Sequence, residues 1–424
     1  MNSMLMFNML TNTAFPDDFV VIDSLDALRK YATKDDVKVK MKPGTYLLDD
    51  ASDHHFIRFT GNNSHFDMSG VTLQIDNELF RKVERIAGKE RFYCVINLMG
   101  DGIVFEGLTT ENVGGQFGVS GRNKIFNISG SNVILGNIDI TTSGSSPWGY
   151  GSLYGIAGGI VRKMNGIRVG YPSKRSKLIN CRVHMRAMGH AIFVQGAEDT
   201  LIEDCHVDGL LRPTNEILAE TSGLAFEHDF KSTSPNYVEG VYVGPEGQIL
   251  PDEMIALSED GIRMYPEGDG GNPTRKTTVR NCTVRQMRRG ICVGLNSSPD
   301  TVINCEVRDC VAAGFNIGNG DIVENCRANA CYAEALSCPY SQSQGAQVDL
   351  EILDSRDGLA NTILATINGE GHEVRLHTFN SAFVPDDFTV EMATRKGYAY
   401  YQRGSQIARN IKLHNDTPAK VARP

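Results

Sequence analysis

Five short segments of the chain share one pattern: INCRV at 179–183, EDCHV at 203–207, RNCTV at 280–284, INCEV at 303–307 and ENCRA at 324–328. Their cysteines, Cys181, Cys205, Cys282, Cys305 and Cys326, follow one another at intervals of 24, 77, 23 and 21 residues. A short period carried by β-branched strands and punctuated by glycine is the mark of a solenoid built from small β-coils. A globular α/β chain would show helical periods between its strands, and these segments show none.

Alternation along each strand predicts that the first, third and fifth residues point inward, as Ile179, Cys181 and Val183 would. Cysteine then serves as a small buried hydrophobe stacked on its equivalent in the next coil, with the thiols reduced. The residue before each cysteine is Asn180, Asp204, Asn281, Asn304 or Asn325. A polar side chain repeated at a bend can hydrogen-bond its neighbours above and below. This pattern resembles the asparagine ladder of right-handed parallel β-helices, the pectate-lyase-like superfold, and implies an all-β fold of that kind.

A further strand follows in each coil: AIFVQ at 191–195, GIRMY at 261–265, GICVG at 290–294 and GFNIG at 314–318, with GLAFE at 223–227 of similar shape. Weaker copies of the pattern occur in SGVTLQI, GIVFEGLTTENV and GSNVILGNIDITT, and later in QVDLEILDS and EVRLHTFNS. The β-helix is therefore expected to span residues 37–415 as one domain, with a segment and cap at 1–36 and a tail at 416–424. Solenoid ends need covering. SLDALRKYATKDD supplies a short capping helix with Ser24 as N-cap and Leu25 and Leu28 on one face, followed by VKVKM and the turn PGTY.

A net charge of -9 argues against a nucleic-acid or anionic-membrane partner, since both need a broad basic surface. No apolar run is long enough to span a membrane. The opening MNSMLMFNMLTNTAFPDD lacks the basic segment and cleavage site of a signal peptide. The short helix, strand and PGTY turn resemble the start of secreted bacterial β-helix enzymes, and that resemblance implies secretion or export to the periplasm, with the leader absent from this sequence.

The repeat breaks between Cys205 and Cys282. This interval, holding RPTNEILAETSG, AFEHDFKS, YVEGVYVGPEGQIL and PEGDGGNPTR, reads as about two coils with loop insertions around 209–276 that wall a groove. Alternation turns Arg263 and Tyr265 outward in GIRMY, Phe193 and Gln195 in AIFVQ, and Ala225 and Glu227 in GLAFE. Arg186 and His190, in RAMGH, come just before one of these strands.

Charged and aromatic groups thus gather on a few central rungs, which suits β-elimination on a uronate. That reaction must neutralise the C6 carboxylate, remove the C5 proton and protonate the leaving O4. Lys231, Arg263, Tyr265, His190 and His228 offer groups of the right types, and a partly desolvated lysine near arginine becomes a better base. Arg186, Gln195, Glu227, His228 and Arg289 are the expected substrate-binding residues.

Glu216, Glu220, Glu227, Asp229, Glu259 and Asp260 could in principle hold Ca²⁺, but no compact calcium spacing is present and no cofactor is expected. The acids could equally pair with the basic residues and orient them. A glycoside hydrolase would need a carboxyl pair, such as Asp229 or Glu227 with Asp260. The adjacent aspartates of polygalacturonases and the DPHD motif of alginate epimerases are absent. A non-enzymatic glycan-binding β-helix would show a long shallow surface without clustered titratable groups.

The stretches RAMGHAIFVQG, SGLAFEHDFKS and SEDGIRMY, within residues 150–310, resemble bacterial β-helix alginate lyases of polysaccharide lyase family 31. The resemblance implies an acidic polysaccharide substrate, most plausibly alginate. It puts the catalytic lysine at Lys231, the proton donor at Tyr265 or His190, and carboxylate neutralisation at Arg263 with Arg186. Phe193 stands where a tyrosine would be looked for.

Overall fold

A computed structural model describes residues 18–423 apart from 89–91, 116–121, 155–160, 234–241, 245, 268–270, 295–297, 356–361 and 394–405. Among these residues two long parallel sheets of 19 and 12 strands wind about one core, and the coil at Lys177–Ile179, Arg182–Met185 and Ile192–Gln195 shows the unit. Its first two strands belong to the larger sheet and its third to the smaller.

Each strand pairs in parallel with its counterpart one coil on, and the register repeats the cysteine spacing: Lys177 pairs with Leu201, Thr278 with Thr301 and Thr301 with Ile322. The 77-residue interval is different. Leu201 pairs directly with Thr278, His206 with Thr283 and Ile192 with Ile262. Only one coil lies between Cys205 and Cys282, not two, and the excess length forms an insertion between Asp208 and Asp260.

The corner after the first strand is made by the residue before each cysteine. Asn180, Asp204, Asn281, Asn304 and Asn325 all have φ between 51° and 55°, a left-handed conformation that asparagine and aspartate tolerate better than most residues. This turn resets the alternation, so Leu178 points inward with Cys181 and Val183, while Ile179 does not. The amides form the expected ladder: Asn325 donates to Asn304 at 2.6 Å, Asn304 to Asn281 at 3.1 Å and Asn281 to Asp204 at 3.1 Å. Asn180 donates in turn to Asn137 at 2.8 Å.

The interior is stacked rung by rung. Phe59, Phe66, Phe105 and Phe126 fill the early coils, with ring centroids 4.8 to 5.8 Å apart along Phe66–Phe59, Phe59–Phe105 and Phe105–Phe126. The cysteine ladder fills the later ones, with all five thiols buried and unpaired. Glycine is the second residue of the third strand at 261 and 290 because valines of the second strand lean there; a Cβ at either position would meet Val284 or Val307 at 2.3 Å.

The capping helix runs Leu25–Tyr31, with the Ser24 hydroxyl accepting from the Ala27 amide at 3.3 Å and Leu28 buried. Paired strands begin at Val20–Ile22 and end at Lys420–Ala422, beyond both ends of the span 37–415.

The insertion builds a satellite core of Ile217, Ala225, Tyr242, Ile249 and Ile255 against Leu153 and Tyr154 of an earlier loop and Val311 and Tyr332 of later coils. It opens and closes with an antiparallel pair, Leu211–Pro213 against Met254–Ala256. GLAFE is not a strand: Leu224–Glu227 form a short helix that buries Ala225.

Candidate active site

The outer face of the smaller sheet carries a cleft of about 410 Å³. Its floor comes from four neighbouring strands, Arg122–Ile128, Lys163–Gly170, Ile192–Gln195 and Asp260–Tyr265. Their pairing sets Asn127, Arg168, Phe193 and Arg263 side by side in one outward row, and Gly170, Gln195 and Tyr265 in the next. Lys124 and Asn165 share an earlier row. Phe92 and Glu267 stand at the sides.

Arg263 reaches back along its own strand to donate to Asp260 at 2.8 Å, and its guanidinium lies 4.6 Å from the centre of the Tyr265 ring. Tyr265 stacks on Phe193 with centroids 6.0 Å apart and planes 11° off parallel. Burial pushes the Tyr265 phenol up to about 12, against the pull of Arg263, so it stays protonated at neutral pH. Arg168 is held by Asn127 at 2.9 Å, Gln195 at 3.1 Å and Glu267 at 3.2 Å.

Behind this row sits a buried network. The Lys163 ammonium donates to Glu259, whose Oε2 also lies 3.3 Å from His190 Nε2. The other ring nitrogen of His190 faces Asp260, 3.4 Å from its amide and 3.5 Å from its carboxylate. Asn165 accepts from the His190 amide at 2.8 Å and fixes that segment. Arg289 grips Asp260 with two bonds of 2.7 and 3.0 Å, and Arg288 adds a third of 3.1 Å.

The charges follow from this packing. Burial pushes the Lys163 ammonium down to about 8, opposed by Glu259. Burial pushes His190 down to about 3 despite the two carboxylates beside it, leaving the imidazole neutral. Burial would raise both acids, but the Lys163 and Arg288 cations hold Glu259 well below the usual range, and Arg289, Arg288 and Arg263 do the same for Asp260.

Of the residues singled out from sequence, His190, Gln195, Arg263 and Tyr265 meet in the cleft. Lys231 does not line it; it lies in the insertion, where its half-exposed ammonium pairs with Asp229 at 3.2 Å. His228 stacks on Tyr154, with centroids 5.2 Å apart, and Glu227 ends the short helix of the satellite core. Arg186 is tied to Asp208 at 2.6 Å on the larger sheet, away from the cleft. Arg289 is buried beneath it, 1% exposed, where it orients Asp260 and cannot itself reach a ligand.

Sequence reasoning missed Arg122, Lys124, Lys163 and Arg168. RNKIFNI carries Arg122 and Lys124 two apart, on one strand face, and that was an available signal; Lys163 and Arg168 in KMNGIRVG are five apart, which strict alternation puts on opposite faces.

Among the described residues no cluster of three or more His, Cys, Asp or Glu side chains is arranged to hold a metal, and no helix is long and apolar enough to cross a membrane. Glu216 and Glu220 pair with Arg212 at 3.5 and 2.8 Å.

A family model described as a right handed beta helix region matches residues 234–352. The catalytic domain of a GH87 α-1,3-glucanase in complex with tetrasaccharides superposes with a TM-score of 0.53 at 10% identity, over 96% of this chain and 66% of the glucanase chain. The fold is the right-handed parallel β-helix. This β-helix thus spans just under two thirds of that domain. A polygalacturonase from Erwinia carotovora has a TM-score of 0.43 at 10% identity, with 98% and 97% covered. The pectate lyase Pel9A has 0.42 at 10% identity, with 88% and 78% covered. No curated protein matches the sequence.

Proposed function

We propose that this β-helix protein is a polysaccharide lyase that cleaves a uronic-acid polymer by β-elimination. The charge of the cleft carries the reading: Arg122, Lys124, Lys163, Arg168 and Arg263 line it against the two carboxylates Glu259 and Glu267. A neutral glycan offers such a surface no counter-charge, whereas a uronate brings one carboxylate per sugar.

In this reading Arg263 meets the C6 carboxylate, and by drawing off its charge makes the C5 proton more acidic. Lys163, whose ammonium burial has pushed down to about 8, takes that proton in its neutral form. The electron pair of the C5–H bond becomes the C4–C5 double bond as the C4–O4 bond breaks. The protonated phenol of Tyr265 supplies the proton to O4, and both residues exchange their protons with solvent afterwards. His190, with each ring nitrogen turned to a carboxylate, positions this network. Lys231, to which the family resemblance gave the role of base, is left without a part in the chemistry.

A hydrolase would need a protonated carboxylic acid at the bond to be cleaved. Glu259 and Asp260 are instead held ionised by their cationic neighbours, and Asp260 has no exposure. The polymer we propose is alginate, on the resemblance of RAMGHAIFVQG and SEDGIRMY to family 31 lyases, with glucuronan the next choice.

Incubation with a panel of uronate polymers tests the reading. The expected product is an unsaturated uronate with its ultraviolet absorbance. New reducing ends without that absorbance would replace elimination with hydrolysis, and binding without cleavage would make the protein a glycan-binding β-helix.

A further inference from the structure

The five cations of the cleft are not equivalent. Lys163, Arg168 and Arg263 are each paired with a carboxylate of the fold: Glu259, Glu267 and Asp260. Lys124 and Arg122 are not; among the described residues no carboxylate lies within ion-pair distance of either. Lys124 is the sharper case, since it lines the cleft while only 5% exposed, with its ammonium 4.0 Å from the centroid of the Phe92 ring.

A buried cation without a counter-charge is costly. A methionine would fill the same space without that cost, so packing alone does not explain the residue. Burial accordingly pushes the ammonium down to about 8. Arg122, exposed and two residues away on the same face of the strand, adds a second cation above it.

We infer that the Lys124–Arg122 end of the cleft is a second anion subsite, which takes the carboxylate of another sugar in the same uronate chain. The inference rests on the lyase reading for its substrate class but not for its geometry. The strand of Lys124 is separated from that of Arg263 by three pairing steps, or about 14 Å at ~4.8 Å each. That span exceeds one pyranose ring, so two anions held at the two ends belong to different sugars. The protein then selects a run of charged sugars over an isolated one.

Calorimetric titration of the wild-type and Lys124→Met proteins with uronate oligomers of increasing length tests this. The wild type is expected to gain about ten-fold in affinity once the oligomer is long enough to reach both ends, the increment of one charge-assisted contact. Lys124→Met should lose the gain with length. It should also melt at or above the wild-type temperature, because an uncompensated charge has been removed.

Equal length dependence in the two proteins, or a lowered melting temperature for the variant, would overturn the subsite. So would failure of the wild type to bind any uronate oligomer, which would overturn the lyase reading with it. Length-dependent binding that the variant loses, without formation of unsaturated product, would keep the subsite and remove only the lyase.

Discussion

Arg263 stands in the cleft with its guanidinium tied at 2.8 Å to Asp260, a carboxylate with no exposure of its own. Because Arg288 and Arg289 hold the same carboxylate from beneath, one buried acid sets the position of the cation that lines the cleft. Replacing Asp260 by Ala leaves buried guanidiniums without their shared partner, so a loss of about 3–5 kcal/mol of stability is expected. Denaturant unfolding measures it, and a loss under 1 kcal/mol would show that the acid is not holding these arginines.

If Lys163 is the base, the reaction needs its neutral form. The rate at saturating substrate should then rise about ten-fold per pH unit on the acid side and level off above about 8, the value to which burial pushes this ammonium. Lys163→Met should lose at least 100-fold in kcat, while Lys231→Ala, outside the cleft, stays within about two-fold of wild type. A flat profile from pH 6 to 9, or loss of activity in the Lys231 variant alone, would reverse the assignment.

Acid should destabilise the fold earlier than carboxylates alone require. Burial lowers His190 from 6.5 to about 3, so between these values the unfolded chain binds a proton that the folded one does not. Stability attributable to His190 is complete above 6.5 and falls as pH drops through that window. Thermal melts from pH 7.5 to 4.5 should show the decline, and His190→Gln should flatten its upper part, where the carboxylates are still ionised in both states.

The asparagine ladder can be tested at Asn304, which donates to Asn281 and accepts from Asn325 with φ at 54°. Ala there loses both bonds and pays the left-handed penalty, about 2 kcal/mol in all. Gly loses only the bonds and should be measurably less damaging. Equal unfolding free energies for the two variants would mean that the left-handed turn contributes nothing.

All ten cysteines are buried and none is joined in a disulfide, and burial pushes the thiols of Cys94 and Cys292 up to about 12. The native protein should leave an aromatic disulfide reagent unreacted, while the same protein in denaturant releases ten equivalents. Rapid native reaction of even one thiol would contradict the packed ladder.

The coil was legible in the sequence because a parallel ladder repeats its own register: the spacing of Cys282, Cys305 and Cys326 is also the pairing offset of their strands. Asn304 and its equivalents announced the corner, since few other residues accept that backbone. Their left-handed turn is also why strict alternation misplaced Ile179.

The site was half legible. Outward positions in GIRMY and AIFVQ pointed to Arg263, Tyr265 and Gln195, but the crowded charges of AFEHDFKS drew Lys231 into a cleft that it does not line. Length counting also made two coils of an interval that holds one, because an insertion with its own satellite core cannot be told from irregular rungs by spacing.

By itself, then, the sequence determined the winding, the corner residues and the rungs that face outward. Only the tertiary structure decided which outward residues meet. Lys163 and Glu259 touch across 96 residues of chain, and stacking coils converts such separations into a few ångströms through backbone pairing that leaves no local trace at either residue.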